Sequence, residues 1–381
     1  MNSLLNAAEY REAARRFLPK GLFEYIDRGT EDELALGNLR QDLDRIRLEP
    51  RVLRGTTEPD LSTTMLGKKY STPIVIAPTA LAGMLAYQGE GQLARAGAAT
   101  GIPYCAATQA ISSIGEIRSA SADADLWFQL YVWKNRELTR QLLARARDHG
   151  IDTLVVTTDT PVGPKREYNQ RNRFAVPFKV TLKGTADVAL HPRWFASVML
   201  RYLLTSGMPT YGNYPPEFRG SLTRAAIQKD VALESNLTWD DIDQLRSWWG
   251  GKLILKGILS PEDAEQAVKT GIDGLVISAH GGRNLDIAPT PVQVLPSIRQ
   301  AVGNRLQLLA DSGVMRGTDI LKLIALGADG VMIGRLPLWG LASGGEQGAK
   351  ALFDMLLQEL RLAMIMLGTQ TLDDLRALRQ L

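Results

Sequence analysis

The sequence predicts an α/β protein built as one (β/α)8 TIM barrel, with a helical N-terminal extension and a long insertion after strand four. Its 381 residues, 45% of them apolar, match the length of one barrel that carries insertions. Eight short apolar or β-branched runs begin at residue 73, and amphipathic segments separate most of them. These segments are long enough for the crossover helices that parallel strands require, so we expect the runs to close into a barrel.

The predicted strands occupy residues 73–77, 103–107, 126–132, 153–157, 252–255, 274–277, 306–310 and 330–333. Residues 1–70 precede the barrel and are expected to be helical. Within them, Leu18-Pro19 is expected to begin a helix that runs through Tyr25, because proline is favoured in the first turn of a helix. We expect residues 1–381 to form a single domain.

An insertion is predicted over residues 175–240, because strand four ends near Thr157 and strand five starts near Lys252. Its middle, residues 190–204, interleaves Trp, Phe, Tyr and Leu with Arg, which is typical of a segment that lies in a membrane interface. A packed excursion or an oligomer contact explains this composition equally well. Residues 1–16 lack the apolar core of a secretory signal, so we expect a cytosolic protein with surface attachment left open.

Composition excludes several classes of function. Lys and Arg (44) barely exceed Asp and Glu (41), so no nucleic-acid-binding surface is expected. The single cysteine, Cys105, lies in an apolar run, which excludes an internal disulfide and predicts a buried, inert thiol. No metal site is predicted.

Polar residues follow every predicted strand, at the end of a barrel where catalytic groups are found. They are Thr79, Thr108, Gln129 with Tyr131, Thr157 with Asp159, Lys256, His280 with Arg283, Asp311, and Arg335. Loop capping explains one or two such residues but not one at every strand end. The pattern therefore predicts a single lined site.

The last two strands carry the sequence of a phosphate site. Asp311-Ser312-Gly313 and Gly334-Arg335 follow them, and their glycines allow backbone N–H groups to approach an anion that Arg335 can bind. We therefore expect a phosphorylated ligand or cofactor.

His280 is the candidate general base. Two glycines follow it and Arg283 comes next, so an exposed imidazole beside a guanidinium is expected, which suits a carboxylate substrate. Lys256 has two interpretations, a Schiff-base nucleophile or a fixed positive charge. Asp159 either orients His280 and stabilises its imidazolium or caps the next loop. His149 and His191 have no catalytic context.

Together these motifs resemble those of the FMN-dependent (S)-2-hydroxy-acid oxidases and dehydrogenases, which include glycolate oxidase, lactate dehydrogenase and mandelate dehydrogenase. The most specific match is residues 278–286, similar to the family's Ser-Asn-His-Gly-Gly-Arg-Gln-Leu-Asp signature, with support from residues 127–132. Further segments agree over nearly the whole chain, namely 18–20 with Tyr25, 77–80, 157–159 with Arg166, 256–257 and 334–335.

The resemblance implies FMN as cofactor and assigns roles around it. Residues implied to contact the flavin are Pro78, Thr79, Ala80, Thr108, Gln129, Thr157 and Lys256. Residues implied to hold its ribityl chain and phosphate are Asp311, Ser312, Gly313, Gly334 and Arg335. Residues implied to bind the substrate are Tyr25, Tyr131, Arg166 and Arg283, with His280 as the base and Asp159 behind it. Lys256 is then the cation that stabilises reduced flavin near N1.

The implied reaction oxidises an (S)-2-hydroxy acid of the mandelate or L-lactate type to the 2-keto acid, with His280 taking a proton and two electrons passing to flavin N5. Either the hydroxyl proton or the C2 proton leaves first. Two positions depart from the family pattern, because Ala279 replaces Asn and Met315 replaces Arg. We expect some of the contacts to the FMN phosphate to be lost or to be made by Arg316 instead.

The insertion resembles that of the membrane-associated mandelate and bacterial lactate dehydrogenases. This implies peripheral attachment to the cytoplasmic side of the inner membrane and a quinone or another respiratory electron acceptor. A homotetramer is also implied. Ala80 is oxidase-like and keeps a soluble oxygen-using oxidase as the alternative. Less favoured are a non-redox isomerase or aldolase with Lys256 as nucleophile, and a non-catalytic scaffold.

Overall fold

A computed structural model describes residues 4–174, 181–220 and 229–380. Parts of the predicted insertion, 175–180 and 221–228, lie outside the described residues.

The N-terminal segment holds three helices and a hairpin. The helices are α1 (Ala7–Phe17), α2 (Lys20–Asp27) and α3 (Leu34–Arg45), and the strands are β1 (Thr63–Met65) and β2 (Lys68–Tyr70). Helix α2 begins directly after Pro19, as predicted. The hairpin departs from the helical expectation for residues 1–70. Leu66 and Gly67 form its turn with φ of 54° and 82°, a geometry that suits the twist of two antiparallel strands.

Eight parallel strands close into the predicted barrel. They are β3 (Ile74–Ile76), β4 (Tyr104–Ala107), β5 (Leu126–Leu130), β6 (Thr153–Thr157), β7 (Lys252–Ile258), β8 (Gly274–Ile277), β9 (Gln307–Ala310) and β10 (Gly330–Ile333). Around the barrel they follow the order β10-β3-β4-β5-β6-β7-β8-β9. All eight predicted runs are strands, with ends that shift by no more than a few residues. The barrel prediction is confirmed.

Apolar side chains fill the barrel and the hairpin seals its lower end. Trp127, Ile254 and Leu309 pack in one buried cluster with Met65 of the hairpin. Cys105 belongs to the same cluster and its burial raises the pKa of the thiol, so it is the inert side chain that the sequence predicts.

Helices surround the strands. They are α4 (Gly89–Thr100), α5 (Ile114–Ala120), α6 (Arg136–Asp148), α7 (Glu167–Asn172), α11 (Trp239–Trp248), α12 (Pro261–Lys269), α13 (Pro291–Val302), α14 (Gly317–Ala325), α15 (Arg335–Leu367) and α16 (Leu372–Arg376). Helix α15 bends at Gly344 and Gly345, where the backbone leaves helical geometry, and packs against α1 and α4. This long helix ties the N-terminal segment to the barrel wall.

The described part of the insertion lies over α2 and the loop after β3. It contains α8 (Leu182–Ala189), α9 (Pro192–Trp194), a π-helical turn (Phe195–Met199) and α10 (Leu200–Thr205). The indole of Trp194 donates to the carbonyl oxygen of Met84 at 2.8 Å, and the Tyr202 hydroxyl accepts from the Gln88 amide at 3.0 Å. These bonds anchor the insertion to the barrel. Among the described residues, no helix combines the length and apolar character needed to cross a bilayer.

Candidate active site

A cavity of about 250 Å³ opens at the carboxyl ends of the barrel strands. Nearly all of the predicted site residues line it, namely Tyr25, Pro78, Thr79, Ala80, Gln129, Tyr131, Thr157, Arg166, Lys256, His280, Arg283, Asp311, Ser312, Gly313, Gly334 and Arg335. Thr108 and Asp159 stand one layer behind and hydrogen-bond to side chains that do line the cavity. The structure therefore brings the polar strand ends together in one place.

His280 and Asp159 form a hydrogen-bonded pair. The imidazole Nδ1 lies 2.9 Å from Oδ1 of Asp159. Burial alone would raise the pKa of this carboxyl, but the charges of His280 and Lys256 and the hydrogen bond from His280 lower it. An ionised carboxylate only accepts hydrogen bonds, so Nδ1 carries a proton and Nε2 is the basic nitrogen. This contact favours the interpretation that Asp159 orients His280, although the Thr160 hydroxyl of the next loop also donates to Asp159 at 3.2 Å.

The loop after β8 holds His280 in an uncommon backbone conformation, with φ of 50°. The Ser278 hydroxyl accepts from the His280 amide at 3.0 Å, and the Ser312 hydroxyl accepts from the Gly281 amide at 3.0 Å. Glycine is required at 282, because φ is 69° and a Cβ would stand 2.7 Å from the Leu36 amide nitrogen. The two glycines thus let the loop turn tightly against α3 while the base stays fixed.

Lys256 is buried and paired. Its ammonium lies 2.8 Å from Oδ2 of Asp311 and donates to the Ser278 hydroxyl at 2.8 Å. Burial would lower the pKa of this lysine, but the charges of Asp311 and Asp159 raise it above its usual value. A Schiff-base nucleophile must be a free amine at neutral pH, so the structure favours the fixed positive charge.

Three guanidinium groups converge on the cavity. Arg283 donates to the carbonyl oxygens of Tyr25 and Arg28, and Arg335 donates to those of Asp27 and Gly281. The first three carbonyls lie at or just beyond the C-terminal end of α2, where a helix attracts cations.

Arg166 completes this group and donates to the Arg283 carbonyl at 3.2 Å and to Oδ1 of Asn284 at 3.4 Å. Burial and the charge of Arg283 lower the pKa of Arg166, and they lower that of Arg335 to about 10. In the described part of the chain, the hydrogen-bond partners of all three are carbonyl and amide oxygens, not carboxylates. Three guanidiniums that have no hydrogen-bonded carboxylate among the described residues make this end of the cavity a site for anionic ligands.

The opposite wall presents uncharged polar groups. The Thr108 hydroxyl donates to the Gln129 carbonyl at 2.7 Å, and the Gln129 side chain donates to the Thr157 hydroxyl at 3.0 Å. Thr108 thus holds Gln129 in place, and Gln129 holds the Thr157 side chain. The Thr79 hydroxyl is buried and has no partner in the part of the chain that the structure describes. Since buried hydroxyls are normally hydrogen-bonded, Thr79 points to a ligand with complementary polar atoms.

Two tyrosines flank the base. Burial and the charge of Asp159 raise the pKa of Tyr131 to about 12, so its phenol stays protonated and can donate a hydrogen bond. The Tyr25 ring lies under the Arg283 guanidinium, 5.2 Å from carbon to ring centroid. Both residues line the cavity near His280.

The two departures from the family signature have different consequences. Ala279 is buried under the loop, whereas Met315 lines the cavity with an uncharged side chain. The expected shift of phosphate contacts to Arg316 is not found, because Arg316 pairs with Glu359 at 3.0 Å and does not line the cavity. Of the two arginines considered for the phosphate, Arg335 lines the cavity and Arg316 does not.

The sequence analysis did not identify two residues, Asn284 and Asp286, that hold the site residues in place. Asn284 donates to the Asp159 carbonyl at 2.8 Å and to the Thr160 hydroxyl at 2.9 Å while accepting from Arg166. Asp286 accepts from the amides of Asp32 and Ala35 and fixes the loop to the start of α3. Both lie inside the signature at 278–286, so the motif itself was the available signal.

The sequence profile of the FMN-dependent dehydrogenases matches residues 14–379. The chain belongs to this family. An L-lactate dehydrogenase of Caulobacter sp. (strain K31) is 39% identical over 380 residues, covering 97% of this chain and 96% of the relative. One from Caulobacter vibrioides (strain NA1000 / CB15N) is 40% identical over 372 residues, covering 96% and 94%. Both relatives align over nearly their full length.

Solved structures agree with this FMN-dependent family. The monotopic membrane protein (S)-mandelate dehydrogenase superposes with a TM-score of 0.92 and 35% identity, over 100% of both chains. A mandelate oxidase with benzoyl-formic acid superposes with a TM-score of 0.83 and 30% identity, over 100% of this chain and 99% of that one.

The cavity fits FMN. The unpartnered Thr79 hydroxyl and the buried ammonium of Lys256 face the cavity, and Arg335 lines it together with Gly313 and Gly334 of the loops after β9 and β10. An isoalloxazine needs polar partners and a nearby cation, and a phosphate needs backbone amides and a guanidinium. The residues present supply all of these.

Proposed function

We propose that this FMN-dependent enzyme oxidises an (S)-2-hydroxy acid, of the L-lactate or mandelate type, to the 2-keto acid. The observation that carries the proposal is that His280, oriented by Asp159 behind it, lines the same cavity as the guanidiniums of Arg166 and Arg283. A base beside two cations matches a substrate whose reacting carbon bears both a hydroxyl and a carboxylate. The names of the relatives and structural neighbours, lactate and mandelate dehydrogenases, support the same class.

Each residue has a role in the proposed reaction. Arg166 and Arg283 bind the carboxylate, and the phenols of Tyr25 and Tyr131 orient the substrate oxygens. His280 takes the proton at Nε2, and Asp159 stabilises the resulting imidazolium. FMN, when bound, would supply the two-electron acceptor. The fixed positive charge of Lys256, which lines the cavity, would stabilise the negative charge of the reduced cofactor.

The cofactor contacts are also part of the proposal. Pro78, Thr79, Ala80, Gln129 and Thr157 would contact the ring system, with Thr108 supporting Gln129. Asp311, Ser312, Gly313, Gly334 and Arg335 would hold the ribityl chain and the phosphate. The aldolase alternative loses its basis, because Lys256 is protonated and paired with Asp311.

We also propose that the enzyme attaches peripherally to the cytoplasmic side of the inner membrane and passes its electrons to a quinone. Support comes from the apolar side chains that the insertion exposes, among them Leu190, Leu200, Leu203 and Leu204, and from a structural neighbour that is a monotopic membrane protein. Ala80 lines the cavity, and oxygen is the alternative acceptor. A homotetramer stays a prediction of the resemblance.

Anaerobic mixing tests the proposed reaction. FMN-loaded enzyme is mixed with (S)-lactate and, separately, with (S)-mandelate, and the visible flavin band is followed. We expect one or both acids to bleach the band, and we expect His280→Ala to slow bleaching by about 10²–10⁴-fold while flavin stays bound. If neither these nor other 2-hydroxy acids bleach a correctly bound flavin, the proposed activity is wrong. Admitting oxygen after bleaching then measures its use as an acceptor.

A further inference from the structure

Two acidic residues lie close to Arg335, the guanidinium that lines the cavity beside Gly313 and Gly334. Asp27 is the last residue of α2, and its carbonyl oxygen accepts from Arg335 at 3.0 Å. Burial and the charge of Arg283 lower the pKa of Arg335, and the charges of Asp27 and Glu33 act against that effect. Both carboxylates are therefore near enough for their charges to reach this guanidinium.

Neither carboxylate forms a hydrogen bond with Arg335. Within the described residues, the Arg335 side chain donates to the carbonyl oxygens of Asp27, Arg28 and Gly281. A guanidinium binds a carboxylate more strongly than it binds a neutral carbonyl, because both partners are charged. Another interaction must therefore keep the carboxylates of Asp27 and Glu33 from pairing with Arg335.

A different arginine holds each carboxylate. Arg11 of α1 donates to Asp27 through Nε at 2.7 Å and through Nη2 at 2.6 Å. Arg28 donates to Glu33 in the same two-bond arrangement, at 3.1 and 3.0 Å, and the Gly29 amide adds a bond at 2.7 Å. Two parallel N–H···O bonds engage both oxygens of a carboxylate and fix its direction. Arginines other than Arg335 thus compensate both negative charges.

This pairing leaves the charge of Arg335 available to a ligand. A phosphate group is recognised by a guanidinium in the same two-bond geometry that a carboxylate uses. Without Arg11, the negative charge of Asp27 would attract Arg335 and repel a phosphate bound to it. Asp27 is the stronger competitor of the two acidic residues. Only 6% of its side chain is exposed, against 25% for Glu33, so water screens its charge less.

We propose that Arg11 is a positioning residue for FMN, which pairs with Asp27 and thereby reserves Arg335 for the phosphate. The proposal rests on the function proposed above, in which Arg335 holds the FMN phosphate. Arg11 lies on α1 with about half of its side chain exposed, and it does not line the cavity. It therefore acts by compensating the charge of Asp27 and makes no contact with the cofactor.

Flavin binding tests this proposal without turnover. The full-length protein is freed of flavin and titrated with FMN and, separately, with riboflavin, which lacks the phosphate, while the change in flavin fluorescence is followed. We expect Arg11→Ala to raise the Kd of FMN by about tenfold, as the loss of one partly screened charge compensation would. The Kd of riboflavin should stay at the wild-type value, which also shows that the variant is folded.

A matched control and a rescue variant separate this role from a merely structural one. Arg15 lies one turn further along α1 and is 56% exposed against 52% for Arg11, but it pairs with Glu12, so Arg15→Ala should bind FMN as the wild type does. Adding Asp27→Asn to Arg11→Ala removes the uncompensated charge and keeps the backbone carbonyl that accepts from Arg335. We expect the double variant to recover the wild-type Kd of FMN. A loss caused only by weaker packing of α1 on α2 would not be recovered.

If Arg11→Ala does not bind riboflavin, Arg11→Lys replaces it, because lysine keeps a cation near Asp27 but cannot form the two-bond pair. A smaller loss of FMN affinity is then expected, again recovered by Asp27→Asn. An unchanged preference for FMN over riboflavin, or a loss that Asp27→Asn does not recover, would overturn the proposal.

Arg335→Ala distinguishes a failure of this proposal from a failure of the proposed phosphate site. It should abolish the preference for FMN over riboflavin. If it does so while Arg11→Ala does not weaken FMN binding, the phosphate site stands and the role of Arg11 is wrong. If Arg335→Ala leaves the preference unchanged, the phosphate site itself is wrong and the role of Arg11 falls with it. No hydroxy acid takes part, so the proposed reaction is tested separately.

Discussion

At the scale of single residues, Asn284 links Asp159, which orients the proposed base, to Arg166, which is proposed to bind the substrate carboxylate. Its amide group bonds to the Asp159 carbonyl, to the Thr160 hydroxyl and to Arg166, yet Asn284 does not line the cavity. It is therefore a positioning residue in our interpretation. Moving Asp159 or Arg166 by a fraction of an ångström would spoil proton transfer and carboxylate binding together.

We expect Asn284→Ala to lower kcat/KM by about 10–100-fold, the loss of one or two buried hydrogen bonds in free-energy terms. We expect kcat to fall because Asp159 shifts, and KM to rise because Arg166 shifts. The affinity for FMN should stay the same. Asn284→Gln keeps the donor and should recover part of the activity. Leu285→Ala at the exposed next position is the control. A variant that loses FMN along with activity would show a merely structural role.

Lys256 and Asp311 give a residue-scale prediction about stability. Lys256→Ala leaves the Asp311 carboxylate buried without its cation, and we expect the free energy of unfolding of the FMN-free protein to fall by about 3–5 kcal/mol. The pKa of Lys256 is raised in the folded state, so the contribution of the pair is full below the unfolded lysine pKa of about 10.4 and declines only above it. The loss should thus be constant from about pH 6 to 9.

Urea denaturation of FMN-free protein measures this loss. Lys252→Ala on the same strand is the control, because the pair of Lys252 with Asp273 is partly exposed and should contribute about 1 kcal/mol or less. Equal losses in the two variants would mean that burial does not strengthen the effect of removing Lys256.

At the scale of elements, the sequence was most informative where periodicity repeats. Eight apolar runs separated by helices predict the barrel, and the polar residue after each run predicts the cavity, because parallel strands place their carboxyl ends together. The hairpin at Thr63–Met65 and Lys68–Tyr70 was missed, since three-residue strands are too short to show an alternating pattern. The sequence analysis also missed the backbone carbonyls at the end of α2 that accept hydrogen bonds from Arg283 and Arg335. Every residue has a backbone carbonyl, so no residue type in the sequence identifies such an acceptor.

The insertion is the element that tests membrane attachment. We expect Leu203→Glu combined with Leu204→Glu to release the protein from vesicles of anionic phospholipid, because each leucine loses about 1.5–3 kcal/mol of apolar burial. Co-flotation with vesicles measures the release. Leu362→Glu with Met366→Glu is the matched control, since these apolar residues of α15 are also exposed. If both pairs reduce flotation equally, the insertion is not a specific attachment surface.

At the scale of the whole molecule, the cavity is where separate parts of the chain meet. Tyr25 comes from the N-terminal segment, Met315 from the loop after β9, and Arg335 from the start of the long helix α15. Three guanidiniums meet there without a hydrogen-bonded carboxylate in the described residues, and their desolvation and mutual repulsion cost folding free energy. A bound anion would offset that cost across all of these parts together.

FMN should therefore stabilise the entire fold by linkage, by about 2.7 kcal/mol at a free concentration one hundred times its Kd. Riboflavin, which lacks the phosphate, should stabilise it less. Met315→Arg adds a cation beside the cavity, and we expect it to lower the Kd of FMN by about tenfold, as one charge-assisted hydrogen bond would, and to leave that of riboflavin unchanged. Thermal unfolding at increasing ligand concentration measures both affinities. An equal gain for riboflavin would place the effect of residue 315 on the flavin ring instead of the phosphate, and the phosphate would then depend on Arg335 and the backbone amides of the β9 and β10 loops.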